Sequence, residues 1–165
     1  MEDIIEINGV KYQRVVDQEE TTQNPTGWER KRRYDIYNVL NKRFESEPCQ
    51  EEMEWTDDFL YRTANYFSDV KLADAMGRAV KLYLRMNRFA AEHRKINLDW
   101  GLDGDNHYYI YYNHTNSSFA VSYGNVAQIL FEVYFDSRET AEAAIEEFRD
   151  ELTWYFAEFK NTMRF

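Results

Sequence analysis

A strand-like run leading through a Tyr-Phe pair into an amphipathic helix occurs twice in this chain, and that recurrence limits what it can fold into. The first copy has Tyr34-Asp35-Ile36-Tyr37-Asn38, then Phe44, then Tyr66-Phe67-Ser68-Asp69, then Leu72-Ala73-Asp74-Ala75. The second has Tyr109-Ile110-Tyr111-Tyr112-Asn113, then Phe119, then Tyr134-Phe135-Asp136-Ser137, then Thr140-Ala141-Glu142-Ala143. From Tyr66 and Tyr134 onward the copies align without a gap, and Leu84 falls opposite Leu152. Such self-similarity reads either as an internal duplication or as the common look of any strand feeding a capped helix. Both readings predict an α+β protein of two strand-rich units, each followed by a long amphipathic helix.

Helical spacing supports the two helices. At ~100° per residue, Leu72, Met76, Ala79, Val80, Tyr83, Met86 and Ala90 gather on one side of the first, with Arg78, Lys81, Arg85 and Arg88 opposite. In the second, Ala141, Ile145, Phe148, Leu152, Tyr155, Phe156, Phe159 and Met163 form an apolar stripe, backed by Glu142, Glu146, Glu147, Asp150, Glu151 and Glu158. The basic back of one can meet the acidic back of the other, within the chain or in a dimer. Asp136 and Glu139 have capping-box spacing, so the second helix should start near Ser137.

Ahead of the first copy, Asn8-Gly9 divides two runs rich in Ile, Val and Tyr, the signature of a two-residue hairpin turn. Residues 17–27 offer no large apolar group and read as a linker. Short strands are expected around 52–56 and 60–66, a hairpin from Tyr108–Tyr112 and Ser118–Tyr123, and a third strand over 127–134. The organisation is therefore an N-terminal hairpin and linker (1–27), a β-β-α unit (28–97) and a β-β-β-α unit (98–165). A chain of 165 residues should close these into one compact domain.

Composition excludes several classes. With 44% apolar and 17% aromatic residues, the chain is too hydrophobic to stay disordered. No stretch approaches the ~18 apolar residues of a membrane span. The acidic MEDIIEING start lacks the apolar core of a signal peptide, which predicts a cytoplasmic protein, and the lone Cys49 suits a reducing compartment. Asn113-His114-Thr115 and Asn116-Ser117-Ser118 are then turn chemistry rather than glycosylation sites. The net charge of -10 argues against nucleic acid as the direct ligand, since such binding releases counterions from phosphates neutralised by Lys and Arg.

No catalytic or metal-binding constellation stands out. His93 falls in the last turn of the first helix, where it suits the dipole. His107 and His114, seven apart, would lie on opposite faces of a continuous strand. Asp99, Asp103 and Asp105 offer oxygen ligands, but the glycine is misplaced for a calcium loop and His114 stands where a bidentate Glu is needed. Acidic neighbours should raise the Cys49 thiol pKa and work against nucleophilic use. No phosphate-binding glycine loop, nucleophile elbow or zinc knuckle is present. The expectation is a protein without enzymatic activity, metal or cofactor.

Two charged features remain. Arg30-Lys31-Arg32-Arg33, flanked by Trp28 and Tyr34, mixes cations with rings as nucleic-acid binders do. Together with the Tyr109 and Tyr111 rings, Arg30, Arg32 and Arg33 define an alternative function, a small-ligand or nucleotide-binding module. The acidic features are more concentrated. Glu142, Glu146 and Asp150 repeat at i, i+4, which costs ~0.2–0.5 kcal/mol per like-charge pair on a helix unless a basic partner offsets it. Glu45, Glu47, Glu51, Glu52, Glu54, Asp57 and Asp58 form a second patch with no Lys or Arg among them. Both patches are expected on exposed surfaces as partner-binding residues, with a solubilising role as the alternative.

INGVKYQRV, TANYFSDVKLADA and the block from HYYIYY through VYFDSRETAEAAIEE resemble small accessory proteins encoded by phages and prophages of Gram-positive bacteria. The resemblance covers most of residues 1–150, and its motifs are hairpins and strand-to-helix junctions, which specify a fold rather than an activity. It implies a context in which blocking a host nuclease is a common task. The expected function is accordingly that of a non-catalytic inhibitor or adaptor of anti-CRISPR or DNA-mimic kind. Such a protein would bind a host nuclease or other nucleic-acid-binding protein through its acidic surfaces.

Overall fold

Main-chain hydrogen bonding builds the same unit twice. The computed structural model describes residues 26–97, 99–101, 104–129 and 131–159, together with the backbone of 4–7 and 10–13. In the first unit β3 (Ile36–Leu40) pairs antiparallel with β4 (Ser46–Gln50), while on its other edge Asn38 exchanges two hydrogen bonds of 2.8 Å with Phe67. In the second unit β5 (His107–Asn113) pairs with β6 (Ser118–Gly124), and Tyr108 exchanges bonds of 2.9 and 2.8 Å with Phe135. Asn38 thus spends its main-chain groups on Phe67. That lets Pro48, directly opposite on β4, occupy a ladder position without a missing donor.

Two residues beyond each Phe a helix begins. The Asp69 side chain accepts from the Lys71 amide at 2.7 Å to start α2 (Val70–His93), and Ser137 Oγ accepts from the Thr140 amide at 3.1 Å to start α3 (Arg138–Glu147). Ala73 and Ala141, four residues further, are both fully buried, so the gapless alignment is also a structural one. The strands correspond differently from the sequence pattern. Asn38 answers to Tyr108 rather than Asn113, which sets His107 opposite Tyr37.

The chain is α+β as expected, and the N-terminal hairpin is present: β1 (Ile4–Ile7) pairs with β2 (Val10–Gln13), with Ile7 opposite Val10. The Asn8-Gly9 turn and residues 17–25 of the expected linker lie outside the described residues. At the linker's end, Gly27 adopts φ +85° against Leu72, where an added Cβ would come within 2.6 Å of Leu72 Cδ2. Glu29 accepts from the Thr26 hydroxyl, the Thr26 and Gly27 amides and the Ser68 hydroxyl, tying this turn to the start of α2.

Several expected elements differ. The strands expected at 52–56 and 60–66 are replaced by α1 (Trp55–Arg62), because Asp57 accepts from the Glu52 and Glu54 amides and supplies the first turn with acceptors. Residues 46–50, where no strand was expected, form β4. The strand expected over 127–134 reduces to the bridge at Phe135. The capping box does not form. Asp136 accepts from the Lys95 amide and the Thr140 hydroxyl, and Ser137 is the cap. The second helix is interrupted at Phe148 (φ -111°, ψ 18°), continues as α4 (Arg149–Trp154) and widens into a π-helical turn, Tyr155–Phe159.

The two units share α2. Its first turns pack Leu72 and Ala73 with Phe67 and the partly buried Trp28 and Leu40. Gly77 lies so close to the β3–β4 turn that an added Cβ would stand 2.3 Å from the Phe44 carbonyl oxygen. Further on, Leu82, Met86 and Ala90 join Ile110, Val121, Ala141, Ala144, Ile145, Phe148 and Leu152 in the largest core. The two helix backs meet where Arg85 pairs with Glu151 at 2.6 Å and Arg78 sits 4.0 Å over the Trp154 ring.

Candidate functional site

The acidic run from Glu45 to Asp58 divides into an inner and an outer set. Glu51 is completely buried. It accepts from Arg30 at 3.1 Å, from the Tyr66 hydroxyl at 2.6 Å and from the Met53 amide at 3.0 Å. Asp57, 5% exposed, accepts from the Tyr37 hydroxyl at 2.8 Å and from the two amides that open α1. The Tyr37 and Tyr66 rings stack at 4.0 Å, so the two phenols hang from one aromatic pair and each meets one carboxylate. Arg30 closes the group by pairing also with Asp58.

Electrostatics follow this geometry. Burial alone would raise the Asp57 pKa, but the Glu54 amide, the Tyr37 hydroxyl, the Glu52 amide and Arg30 outweigh it and hold the carboxyl below its ordinary range. Burial, then the bond to Asp57, pushes the Tyr37 phenol well up, and burial with Glu51 does the same for Tyr66. Cys49 is raised by burial and by Glu47, so the expected direction of its shift is found. The expectation of exposure therefore fails at Glu51 and Asp57. Their carboxylates satisfy buried donors that the neighbouring backbone leaves open, and they are scaffold rather than surface.

The outer set keeps the expected exposure. Glu45, Glu47, Glu52 and Glu54 are exposed, and Glu47 accepts from the Asn41 amide group at 2.7 Å. Asp58 is half-buried in its pair with Arg30. Beside Glu52 and Glu54 lie three apolar side chains that the charge pattern concealed: Met53, 50% exposed, Trp55, 73%, and Phe59, 51%. Their i, i+4 spacing at 55 and 59 was the available signal.

The acidic patch of the second long helix is brought together as expected. Glu142, Glu146 and Asp150 are all exposed on one face of α3 and α4, despite the break at Phe148 between them. They border a groove of about 520 Å³ whose other wall is the β5–β6 hairpin with Tyr112 and Phe119. Within the chain Glu142 pairs loosely with Arg138 at 3.8 Å and Glu146 pairs with Arg149.

The residues of the alternative site are distributed between the two units. Arg30 is committed to Glu51 and Asp58, and the Arg33 guanidinium lies 5.4 Å from the Tyr34 ring. Arg32 and Arg33 are exposed before β3. Tyr109 and Tyr111 are on β5, the first half-buried beside Tyr134 and the second 42% exposed. The structure instead shows a cavity of about 580 Å³ that pattern reasoning missed, with Tyr83, Trp100, Phe131 and Tyr134 in its walls beside Asn87 and Arg94.

Of the three histidines, His107 is buried and His93 and His114 are exposed. His93 Nδ1 lies 2.8 Å from the Phe89 carbonyl in the last turn of α2, as expected for a helix C-terminus. His107 is buried, stacks 3.5 Å from Trp100, and places Nε2 3.1 Å from the Asp99 carbonyl. Asp105 accepts from the Asp99 amide at 3.2 Å, and Asp103 lies outside the described residues. Among the described residues no three His, Cys, Asp or Glu side chains gather where they could hold a metal ion, and no helix is long and apolar enough to cross a membrane. No family model, curated protein or solved structure matches the chain.

Proposed function

We propose that this chain is a non-catalytic binding protein that docks the acidic α3–α4 face onto a basic surface of a host protein. In this reading it acts as a phage-type inhibitor or adaptor of the anti-defence kind. The observation that carries the reading is the alignment of Glu142, Glu146 and Asp150 along one open groove. A run of like charges on a helix is unfavourable by itself, and Arg138 and Arg149 relieve only part of it. A lysine- and arginine-lined nucleic-acid groove would relieve the rest, and Tyr112 and Phe119 on the facing hairpin add apolar contact. The test is capture from a bacterial lysate by the tagged chain and by an E142K/E146K/D150K variant, in low and high salt and with duplex DNA as competitor. The expected result is a nucleic-acid-binding protein held by the parent, released by salt and by DNA, and absent with the variant. Identical captures would contradict it.

A second reading rests on the Trp100 cavity. Rings beside Arg94 and Asn87 suit a planar anionic ligand such as a nucleotide, and this site replaces the Arg30–Arg33 and Tyr109–Tyr111 combination. Titration with nucleotides should then quench tryptophan fluorescence saturably, and Trp100→Leu with Arg94→Ala should abolish the response. No saturable response in the parent excludes this reading and leaves the first untouched.

A further inference from the structure

Helix α1 is inside out. At ~100° per residue Trp55 and Phe59 lie within about 40° of one another, while Asp57 points away from both. The carboxylate is the buried side chain and the two largest rings face solvent, stacked on each other at 5.7 Å between centroids. The Tyr37 hydroxyl and two amides hold Asp57 inside, but neither ring is needed there, since Leu60 and the Tyr37–Tyr66 pair already cover the inner face. The approach to α1 is fixed as firmly as the helix. Met53 holds φ +60°, a left-handed conformation unfavourable for a long side chain, with its amide bonded to the buried Glu51 and its neighbours' amides bonded to the buried Asp57. The buried carboxylates thereby present Met53, Trp55 and Phe59 on a rigid support, with Glu52, Glu54 and Asp58 around them.

We propose that Met53, Trp55 and Phe59 form a preorganised protein-docking surface, separate from the α3–α4 face. Its occupant is a cationic amphipathic segment of a partner protein, an apolar stripe bordered by Lys and Arg. Rigid exposed aromatics at the centre of a polar rim are the usual make-up of a binding hot spot. The charge of the rim selects the occupant: Glu52 and Glu54 stand exposed beside the apolar side chains, while Asp58 is offset by Arg30 and the one cation of α1, Arg62, lies in its last turn. Membrane insertion is opposed by that same acidity. A second copy meeting through the same face would set Glu52 and Glu54 against themselves across a two-fold axis.

The test uses a synthetic amphipathic helix with a leucine stripe flanked by lysines, titrated calorimetrically into the E142K/E146K/D150K chain so that the other acidic face does not contribute. One-to-one binding is expected, weakened about tenfold or more by Trp55→Ala with Phe59→Ala, and weakened also by high salt. A control peptide with serine in place of leucine and the same charge should bind at least tenfold more weakly. If the aromatic variant loses circular-dichroism signal, Glu52→Lys with Glu54→Lys on intact rings replaces it, and weaker binding is again expected. Equal affinity for both peptides, no effect of either variant, or no binding at all overturns the proposal. Trp55-dependent dimerisation in sedimentation does so too, by naming a second copy as the occupant.

Discussion

Glu51 shows at the scale of one residue what sequence could not reveal. In the run QEEMEW it is indistinguishable from Glu52 and Glu54, yet it is fully buried while they are exposed. Besides the Met53 amide, its donors come from 21 and 15 residues away, Arg30 and Tyr66, so no local pattern announces its burial. Glu51→Ala leaves the Tyr66 hydroxyl and the Met53 amide without an acceptor and reduces Arg30 to its pair with Asp58. It should lower unfolding free energy in urea by about 3 kcal/mol, the low end for a broken buried pair because Arg30 is 30% exposed and can turn to water. Charge reversal at Glu51 would unfold the unit, so a test of the outer surface belongs at Glu52 and Glu54. Glu29 offers a pH readout. Partial burial raises its pKa, but the Thr26 hydroxyl, Ser68 and nearby amides prevail and bring it from 4.5 to about 2. A carboxyl depressed in the folded state contributes stability above its unfolded pKa and loses it as pH falls through the folded one. The stability advantage of the parent over Glu29→Gln should therefore be full above about pH 5 and shrink between 4.5 and about 2, measured by denaturation at each pH.

At the scale of elements, junctions were legible and interiors less so. The helix start near Ser137 was readable because a cap is a local event, one side chain and one amide two or three residues on, although Ser137 rather than Asp136 supplies it, as Asp69 does for α2. The hairpin β5–β6 was readable for the same reason, its Asn113 and Asn116 side chains bonding within the turn. Helix α1 was not, because its N-cap amide, that of Glu54, is held by Asp57, a residue that looks solvent-facing until its phenol partner is known. The apolar stripe assigned to α2 captured Leu72, Met86 and Ala90 but not Leu82, because the helix is covered first by one unit and then by the other. Gly77 marks where the first covers it. Alanine there would gain roughly 1 kcal/mol of helix propensity, yet its Cβ would meet the rigid Phe44 carbonyl. Gly77→Ala should destabilise the protein by about 1–3 kcal/mol, read as a lower denaturation midpoint with an unchanged slope. A stabilised variant would show that α2 can withdraw from the β3–β4 turn.

Over the whole molecule, two similar units are joined through a single long helix, which gives an axis along which their equivalence fails. Leu152 is buried and its counterpart Leu84 is 46% exposed, because α3 breaks at Phe148 to wrap the second core while α2 runs on past the first. The acidic α3–α4 site was legible because i, i+4 spacing survives a single break. That the β5–β6 hairpin forms its opposite wall was not legible, since this depends on packing between separate elements. If this face steers association with a basic partner, the effect is kinetic. Once the captured host protein is immobilised, association and dissociation rates of the parent and the E142K/E146K/D150K chain are measured across a salt series. Slower association with a flatter salt dependence is expected for the variant, with a smaller change in dissociation. Equal association rates with equal salt dependence would contradict it and leave the α3–α4 carboxylates as a solubilising surface.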